Sequence, residues 1–588
     1  MKKRLLALLL ALTLVLSLAA CGQGTSQTAE QEKPEGQDTV SDESQAPEAP
    51  EEAEEPQEEV SPALRETQFG PVQGVDNGTD LVWYGIPYAA APVGELRWSA
   101  PQDPEAWSEP VDCTQPGEKA IQFSMNYATG ESTVSGSEDC LNLDVYAAPD
   151  AENLPVLVYI HGGNNQSGST AEIPGHQIVV NNNCVYVSVN YRLGLLGFNC
   201  LPALQTEEGA TGNYTMLDLA KALDWVKANI AQFGGDPNNI TVSGFSAGGR
   251  DVMAMLVSPL FAGKFDKAIA FSGGMTIADE EASASQIASA VAPLAVEDGK
   301  AADEAAAKDW LLTDGEDVKE YLYSLDAQRL APLMGNAGIR MSVFPHLYND
   351  GVVLPEEGFD TDSYNAVPLL MLTGATEFSL FCSFDGYYFS EAFTALDEET
   401  QSAAKNFALT YGSDMYRIFN AQCSAEKMYD RYDADIYICQ VEYGAADSAT
   451  QIPGMGSFHG IFVPMMTQDH TYGNFADFSP AGYSAMSGIF NDYLKSFLAT
   501  GDPNCDGQAQ WDAWTPDAPL SMVLDAGETE ATAELKDVTD TYDAIMDRMD
   551  ADDSVPEEIK MGVISNVMNG RWFSDALDAR YENPSLWR

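Results

Sequence analysis

The sequence predicts an α/β fold, a mostly parallel central sheet flanked by helices, and three observations lead there. Apolar, β-rich runs at residues 156–160, 185–189, 240–243, 267–271, 369–373 and 435–441 have the length and composition of buried strands. Helical patterns lie between them, as over residues 216–233, where Leu217, Ala220, Leu223, Trp225 and Ile230 form a broad apolar stripe. Strands and helices that alternate along a chain pair as parallel strands with covered faces. The third observation is local. Residues 239–257 read N-I-T-V-S-G-F-S-A-G-G-R-D-V-M-A-M-L-V, so a strand-like run meets a helix-like run across a turn with Ser246 between Gly244 and Gly248. A turn that sharp has no room for side chains at the two glycines and holds Ser246 clear of the backbone, which marks it as a candidate nucleophile.

Residues 1–20 have the form of an export signal, since Lys2, Lys3 and Arg4 precede an apolar run at 5–18 and small residues precede Cys21. The run is too short and wrongly flanked for a spanning helix. The sequence L-A-A-C at 18–21 resembles a bacterial lipoprotein box, which implies lipidation of Cys21 and an extracytoplasmic protein anchored to the cell membrane. A plain secretory signal cleaved after Ala20 is the alternative. Residues 21–62 are rich in Glu, Gln, Ser, Ala and Pro and nearly devoid of large apolar side chains, so they read as an extended acidic tether. Over the whole chain 29 basic residues face 90 acidic ones, a net charge of −61. That excess argues against nucleic acid and anionic membrane surfaces as partners, because both would be repelled. No C-x-x-C pair or His/Cys cluster points to a metal.

Residues 63–526 read as one catalytic domain. Within them F-G-G-D-P-N-N-I-T-V-S-G-F-S-A-G-G at 233–249, Y-G-I-P-Y-A-A-A-P-V-G-E-L-R-W at 84–98 and S-E-D-C-L-N-L-D-V-Y at 137–146 resemble landmarks of the type-B carboxylesterase family. V-S-V-N-Y-R-L-G-L-L-G-F at 187–198 and T-G-D-P-N at 500–504 are similar to two more, all in the family's order. The family includes bacterial para-nitrobenzyl esterases, cholinesterases and neuroligins, and the resemblance covers about residues 62–522. It implies an α/β-hydrolase fold with cap insertions, in which Ser246 is the nucleophile of a Ser-His-acid triad and no cofactor or metal takes part.

The resemblance also directs the reading of the remaining elements. Cys140 matches the family's E-D-C-L cysteine, but its usual partner position is Ala120 here, so a possible disulfide with Cys113 stands beside free buried thiols. The strand-to-loop stretch L-V-Y-I-H-G-G-N-N-Q-S-G-S at 157–169 implies an oxyanion hole built from the backbone amides of Gly163 and Asn164 together with Ala247. Asn164 stands where the family favours a smaller residue. Its side chain is expected to be dispensable and to narrow the acyl pocket, predicting short acyl esters.

The five histidines are at 161, 176, 346, 459 and 470. The nucleophile–acid–histidine chain order of this fold excludes the first two, and His459 in G-M-G-S-F-H-G resembles the family's histidine loop, with His470 as its rival. Phe462 replaces a Glu that often follows that motif. The family's G-x-x-x-D-E-G-x-x-F appears shortened as G-A-T-E-F-S-L-F at 374–381, which assigns the acid to Glu377, with Asp385 as the alternative. Asp350 resembles a turn landmark. The acidic stretches at 278–320 and 355–363 read as caps, and residues 527–588 as a helical extension. These readings together describe a lipid-anchored serine carboxylesterase acting on a small ester through a covalent acyl-enzyme. The alternatives are a non-catalytic adhesion or ligand-binding protein on the same fold, and a lipase.

Overall fold

The structure is a computed structural model that describes residues 61–125, 131–207, 209–334, 340–468 and 475–583. The export signal, Cys21, most of the tether and His470 lie outside the described residues.

An 11-stranded sheet forms the centre. In chain order its strands are β1 Val75–Asp76, β2 Leu81–Pro87, β3 Asn142–Ala147, β4 Leu154–Ile160, β5 Val185–Val189 and β6 Gly235–Phe245. They continue as β7 Lys267–Phe271, β8 Leu369–Gly374, β9 Ile436–Val441, β10 Leu520–Ala526 and β11 Ala531–Asp537. Across the sheet the order is β11-β10-β9-β8-β7-β6-β4-β5-β3-β2-β1. The run from β5 to β10 is parallel and both margins are antiparallel. All six strand runs read from the sequence fall in the parallel part. Their continuous apolar character follows from that position, since β5, β7, β8 and β9 are buried at every residue.

Helices cover both faces. Those used below are α1 His176–Asn182, α2 Tyr214–Asn229, α3 Ala247–Met255, α4 Glu280–Glu297, α5 Phe378–Cys382 and α6 Glu398–Arg417. After them come α7 Ala481–Thr500, α8 Tyr542–Ala551, α9 Glu557–Val563 and α10 Asp575–Arg580. The stripe read over 216–233 is α2 with a 3₁₀ turn, Ile230–Phe233, at its end. One core lies where Trp83, Trp225 and Val242 meet, and a second where Tyr159, Phe271 and Phe490 meet. Acidic residues 278–320 do build helices, α4 among them, and Asp279 caps α4 through the N–H of Ala282.

Several landmark residues are structural. Arg97 of G-E-L-R-W makes a two-pronged pair with Glu138 of S-E-D-C-L at 2.7 and 2.6 Å. Arg192 of N-Y-R-L-G does the same with Asp218 of α2 at 2.8 and 2.6 Å, with both side chains buried. Such forks pin loops at fixed angles because guanidinium and carboxylate match in plane and spacing. Asp350 accepts from the N–H groups of Val352, Val353 and Leu354, as a turn residue does.

Two expectations need correction. Cys113 and Cys140 are both free and buried. Cys113 lies near Asp112 and Asp144, whereas Cys140 lies near Arg192 and Asp218 and lines a small cavity with Ala120, the position that lacks a thiol. Residues 527–588 are not helical throughout. Residues 531–537 form edge strand β11, antiparallel to β10, because A-T-A-E-L-K-D alternates its partly buried and exposed residues with the period of a strand. Beyond it, α8, α9 and α10 pack with α5 and α6 around a third core that includes Phe378, Tyr416, Met546 and Phe573.

Candidate active site

The site lies at the carboxyl ends of β4, β6 and β8, where a parallel sheet leaves helix starts and loops facing one region. Ser246 joins β6 to α3 with φ 56° and ψ −112°, a backbone that L-residues rarely adopt. Its N–H donates to the carbonyl of Phe271 at 2.9 Å, and its own carbonyl accepts from Arg250 N–H at 3.0 Å, which holds the turn from both sides. The flanking glycines are required by packing. A Cβ on Gly244 would stand 2.2 Å from the Gly248 carbonyl oxygen, and one on Gly248 would stand 2.1 Å from that of Ile160.

The Gly-containing loop after β4 lies against this turn, for a Cβ on Gly162 would come within 3.2 Å of Ser246 Cβ. Gly163, Asn164 and Asn165 follow with φ of 92°, 55° and 56°. The amide of Ala247 opens α3, where first-turn N–H groups have no partner within the helix. Gly162 N–H donates to the half-buried carboxylate of Glu172 at 2.8 Å, which fixes the loop's start. The Asn164 side chain departs from expectation. It is buried, and its Oδ1 accepts from Arg250 Nη2 at 2.7 Å. Its side chain is tied to the helix that follows Ser246, so the expectation that it is dispensable does not fit this contact.

Glu377 and His459 come together. Glu377 sits just past β8, and its Oε2 lies 2.7 Å from His459 Nδ1. The same oxygen takes a longer bond from Asn420 Nδ2, 3.4 Å, while Oε1 accepts from Ser272 Oγ at 2.6 Å and from the N–H of Gly374. A carboxylate with this many donors is held in one orientation. The contact with Nδ1 sets the tautomer that bears hydrogen there, leaving Nε2 bare. His459 Nε2 is buried and has no hydrogen-bond partner among the described residues. The imidazole packs on Phe245, the neighbour of Ser246, with ring centroids 4.6 Å apart, and on Phe381 at 4.9 Å and Tyr416 at 6.0 Å. These aromatic walls limit water at the ring and keep it beside the serine turn. Phe462 stacks on Phe271 at 4.4 Å and belongs to the wall beneath Phe245.

The other titratable groups are engaged elsewhere. Asp385 pairs with Arg571 at 2.8 Å and Arg340 at 3.1 Å. His161 is buried against Tyr191, and that burial pushes its imidazole down to about 4. His176 pairs with Asp80, and His346 is buried with Nδ1 on the carbonyl of Phe344. Sequence reasoning missed Ser272, Asn420, Arg250, Asp251 and Asn165. Arg250 and Asp251 did leave a signal, as the two charged residues in the otherwise small and apolar start of α3. Ser272 and Asn420 left none, because each is defined only by a contact across the fold.

A parallel sheet whose strand β6 turns through Ser246 into a helix, with a histidine–carboxylate pair on later loops, defines an α/β-hydrolase fold. The chain belongs to the Carboxylesterase family, which it matches over residues 61–406. It is 40% identical over 242 residues to the para-nitrobenzyl esterase of Bacillus subtilis, covering 40% of this chain and 48% of that protein. It is 28% identical over 488 residues to human cocaine esterase, covering 75% and 82%. The chain spans about half the length of the first curated relatives it matches. Among solved structures, a thermophilic PNB esterase superposes with a TM-score of 0.62 at 26% identity, over 81% of this chain and 98% of that one. The carboxylesterase Est55 of Geobacillus stearothermophilus does so with a TM-score of 0.63 at 27% identity and the same coverage.

Proposed function

We propose that the protein is a serine carboxylesterase that hydrolyses small carboxylic esters through a covalent acyl-enzyme. The observation that carries this reading is the bond between Glu377 and His459 beside the strained Ser246 turn. Ser246 Oγ attacks the ester carbonyl while its proton passes to His459 Nε2. The carbonyl oxygen gains negative charge, which the backbone amides of Gly163, Asn164 and Ala247 stabilise, and Glu377 stabilises the imidazolium. Collapse of the tetrahedral intermediate breaks the bond to the alcohol, which leaves with the proton from His459. Water then attacks the acyl-serine, gives its proton to His459, and releases the acid as Ser246 recovers its own. The relatives' names, para-nitrobenzyl esterase and cocaine esterase among them, support the ester class.

The test is hydrolysis of short para-nitrophenyl esters. Ser246→Ala should abolish turnover while leaving the protein folded, and His459→Ala should cost nearly as much, since members of one catalytic unit are strongly non-additive. A Ser246→Ala protein as active as wild type would refute the mechanism. The reading extends to location: residues 1–21 support cleavage before Cys21 and lipid attachment there, with the acidic tether holding the enzyme away from the membrane.

A further inference from the structure

Asn164 and Asn165 are consecutive left-handed residues in a buried loop. Such a pair is uncommon, since even asparagine is crowded in this conformation, and it persists only where the surroundings hold it. Here the holders are the two residues of α3 that follow the glycines of the serine turn. Arg250 Nη2 donates to Asn164 Oδ1 at 2.7 Å, and Asn165 Nδ2 donates to Asp251 Oδ1 at 2.9 Å. The two bonds run in opposite senses. Asn164 presents its amide oxygen to Arg250 and Asn165 its amide nitrogen to Asp251, so the loop is tied to the helix by two separate bonds on consecutive residues. Both charged residues are buried, and Arg250 is bonded through its own N–H to the Ser246 carbonyl, so the clamp is built on the turn that carries the serine. Trp572, from the segment between α9 and α10, lies over the guanidinium with its ring centroid 5.1 Å from Arg250 Cζ. On the far side, Gly194 N–H donates to the Asn165 carbonyl at 2.7 Å, which stops the loop from following a side chain away.

We propose that Arg250 and Asp251 are positioning residues for ester hydrolysis, holding the amides of the Gly163–Asn164 loop at the spacing from Ser246 that a developing oxyanion requires, through the side chains of Asn164 and Asn165. This rests on the esterase function proposed above. The amides matter most when the carbonyl oxygen becomes negative, so loosening the clamp lowers kcat and leaves KM nearly unchanged.

Arg250→Met deletes the donor while keeping length and apolar bulk, and Asn164→Ala deletes the acceptor. Each should lower kcat on a soluble para-nitrophenyl ester about tenfold or more with KM within about threefold, which is less than the loss from removing a donor outright. The double variant should be no worse than the more affected single one. Asn164→Asp keeps an acceptor for Arg250 and tolerates the left-handed backbone, so it should retain several-fold more kcat than Asn164→Ala. A side chain that only fills space would be served by Asn164→Leu, which keeps the volume without an acceptor, whereas the clamp predicts a loss there as large as in Asn164→Ala. Thermal unfolding of wild type, both single variants and the double variant should show the same non-additivity without any substrate. If Arg250→Met does not fold, the contrast of Asn164→Asp with both Asn164→Ala and Asn164→Leu decides. Singles with wild-type kcat, or effects that multiply in the double variant, overturn the positioning role while an active wild type keeps the esterase function. A wild type inert to esters overturns that function, and the positioning role with it.

Discussion

Glu377 and Asp385 are eight residues apart in sequence, both buried and both fully engaged, yet they do different work. Glu377 faces an imidazole, whereas Asp385 neutralises Arg571, whose buried guanidinium is pushed down to about 10 by desolvation. Glu377→Gln should therefore cost about 10³–10⁴ in kcat with little loss of stability, because the amide cannot stabilise the imidazolium. Asp385→Asn should do the reverse. It leaves Arg571 buried with its charge uncompensated, which destabilises by about 3–5 kcal/mol in denaturant titration, while the folded fraction turns over normally. Asp251 gives a pH prediction. Burial raises its carboxyl from 3.8 to about 7 against the opposing bond from Asn165 and the charge of Arg250; Tyr191 is the other titratable group acting there. A carboxyl raised on folding adds stability that is complete below its unfolded value and lost as pH rises through the folded one. The melting temperature of wild type should therefore fall relative to Asp251→Asn between about pH 4 and pH 7 and run parallel above pH 8. A difference that does not vary with pH would mean that Asp251 is ionised throughout.

At the scale of elements, the β6–α3 junction works because three backbones approach without side chains between them. Gly248 lies over the carbonyl of Ile160 at the end of β4, so Gly248→Ala has no flexible neighbour to move. The methyl must push α3 off the sheet, at a cost of about 2–3 kcal/mol, and it shifts Ser246 relative to the loop after β4. Unfolding and hydrolysis measured on the same variant should decline together. Stability lost with turnover intact would mean that α3 can move without carrying the serine. The C-terminal elements act on the same region from outside. β11 completes the sheet edge, and the segment that follows α9 brings Trp572 over Arg250 and Phe573 against Tyr416, whose ring packs on His459. Trp572 and Phe573 thus belong to the walls of the site, although no family landmark extends so far.

For the molecule as a whole, the charge of −61 and the tether bear on where it works. In the proposed location, like charges along residues 51–59 would repel one another and favour an extended segment, a spacer rather than a docking arm for a lipid at Cys21. Wild-type precursor should partition into the detergent phase and Cys21→Ala into the aqueous one. Wild type recovered unmodified in the medium would overturn the anchor. No helix among the described residues is long and apolar enough to cross a membrane.

The sequence by itself determined what depends on neighbours along the chain. Strand and helix periodicity set the parallel sheet, and the glycines around Ser246 set a turn that only one backbone path satisfies. The position of His459 on a late loop was legible because few histidines compete. The tertiary structure decided what depends on contacts across the chain. That β11 is a strand follows from β10 lying beside it, and Cys113 and Cys140 are free thiols among different neighbours. The shortened acid motif left Glu377 and Asp385 in competition, and only the fold set one against His459 and the other against Arg571. The Asn164 side chain read as an intrusion into the acyl pocket because its partner, Arg250, lies 86 residues away. Local patterns are written in the spacing of residues, but a hydrogen bond between distant side chains exists only once the sheet has brought their backbones together.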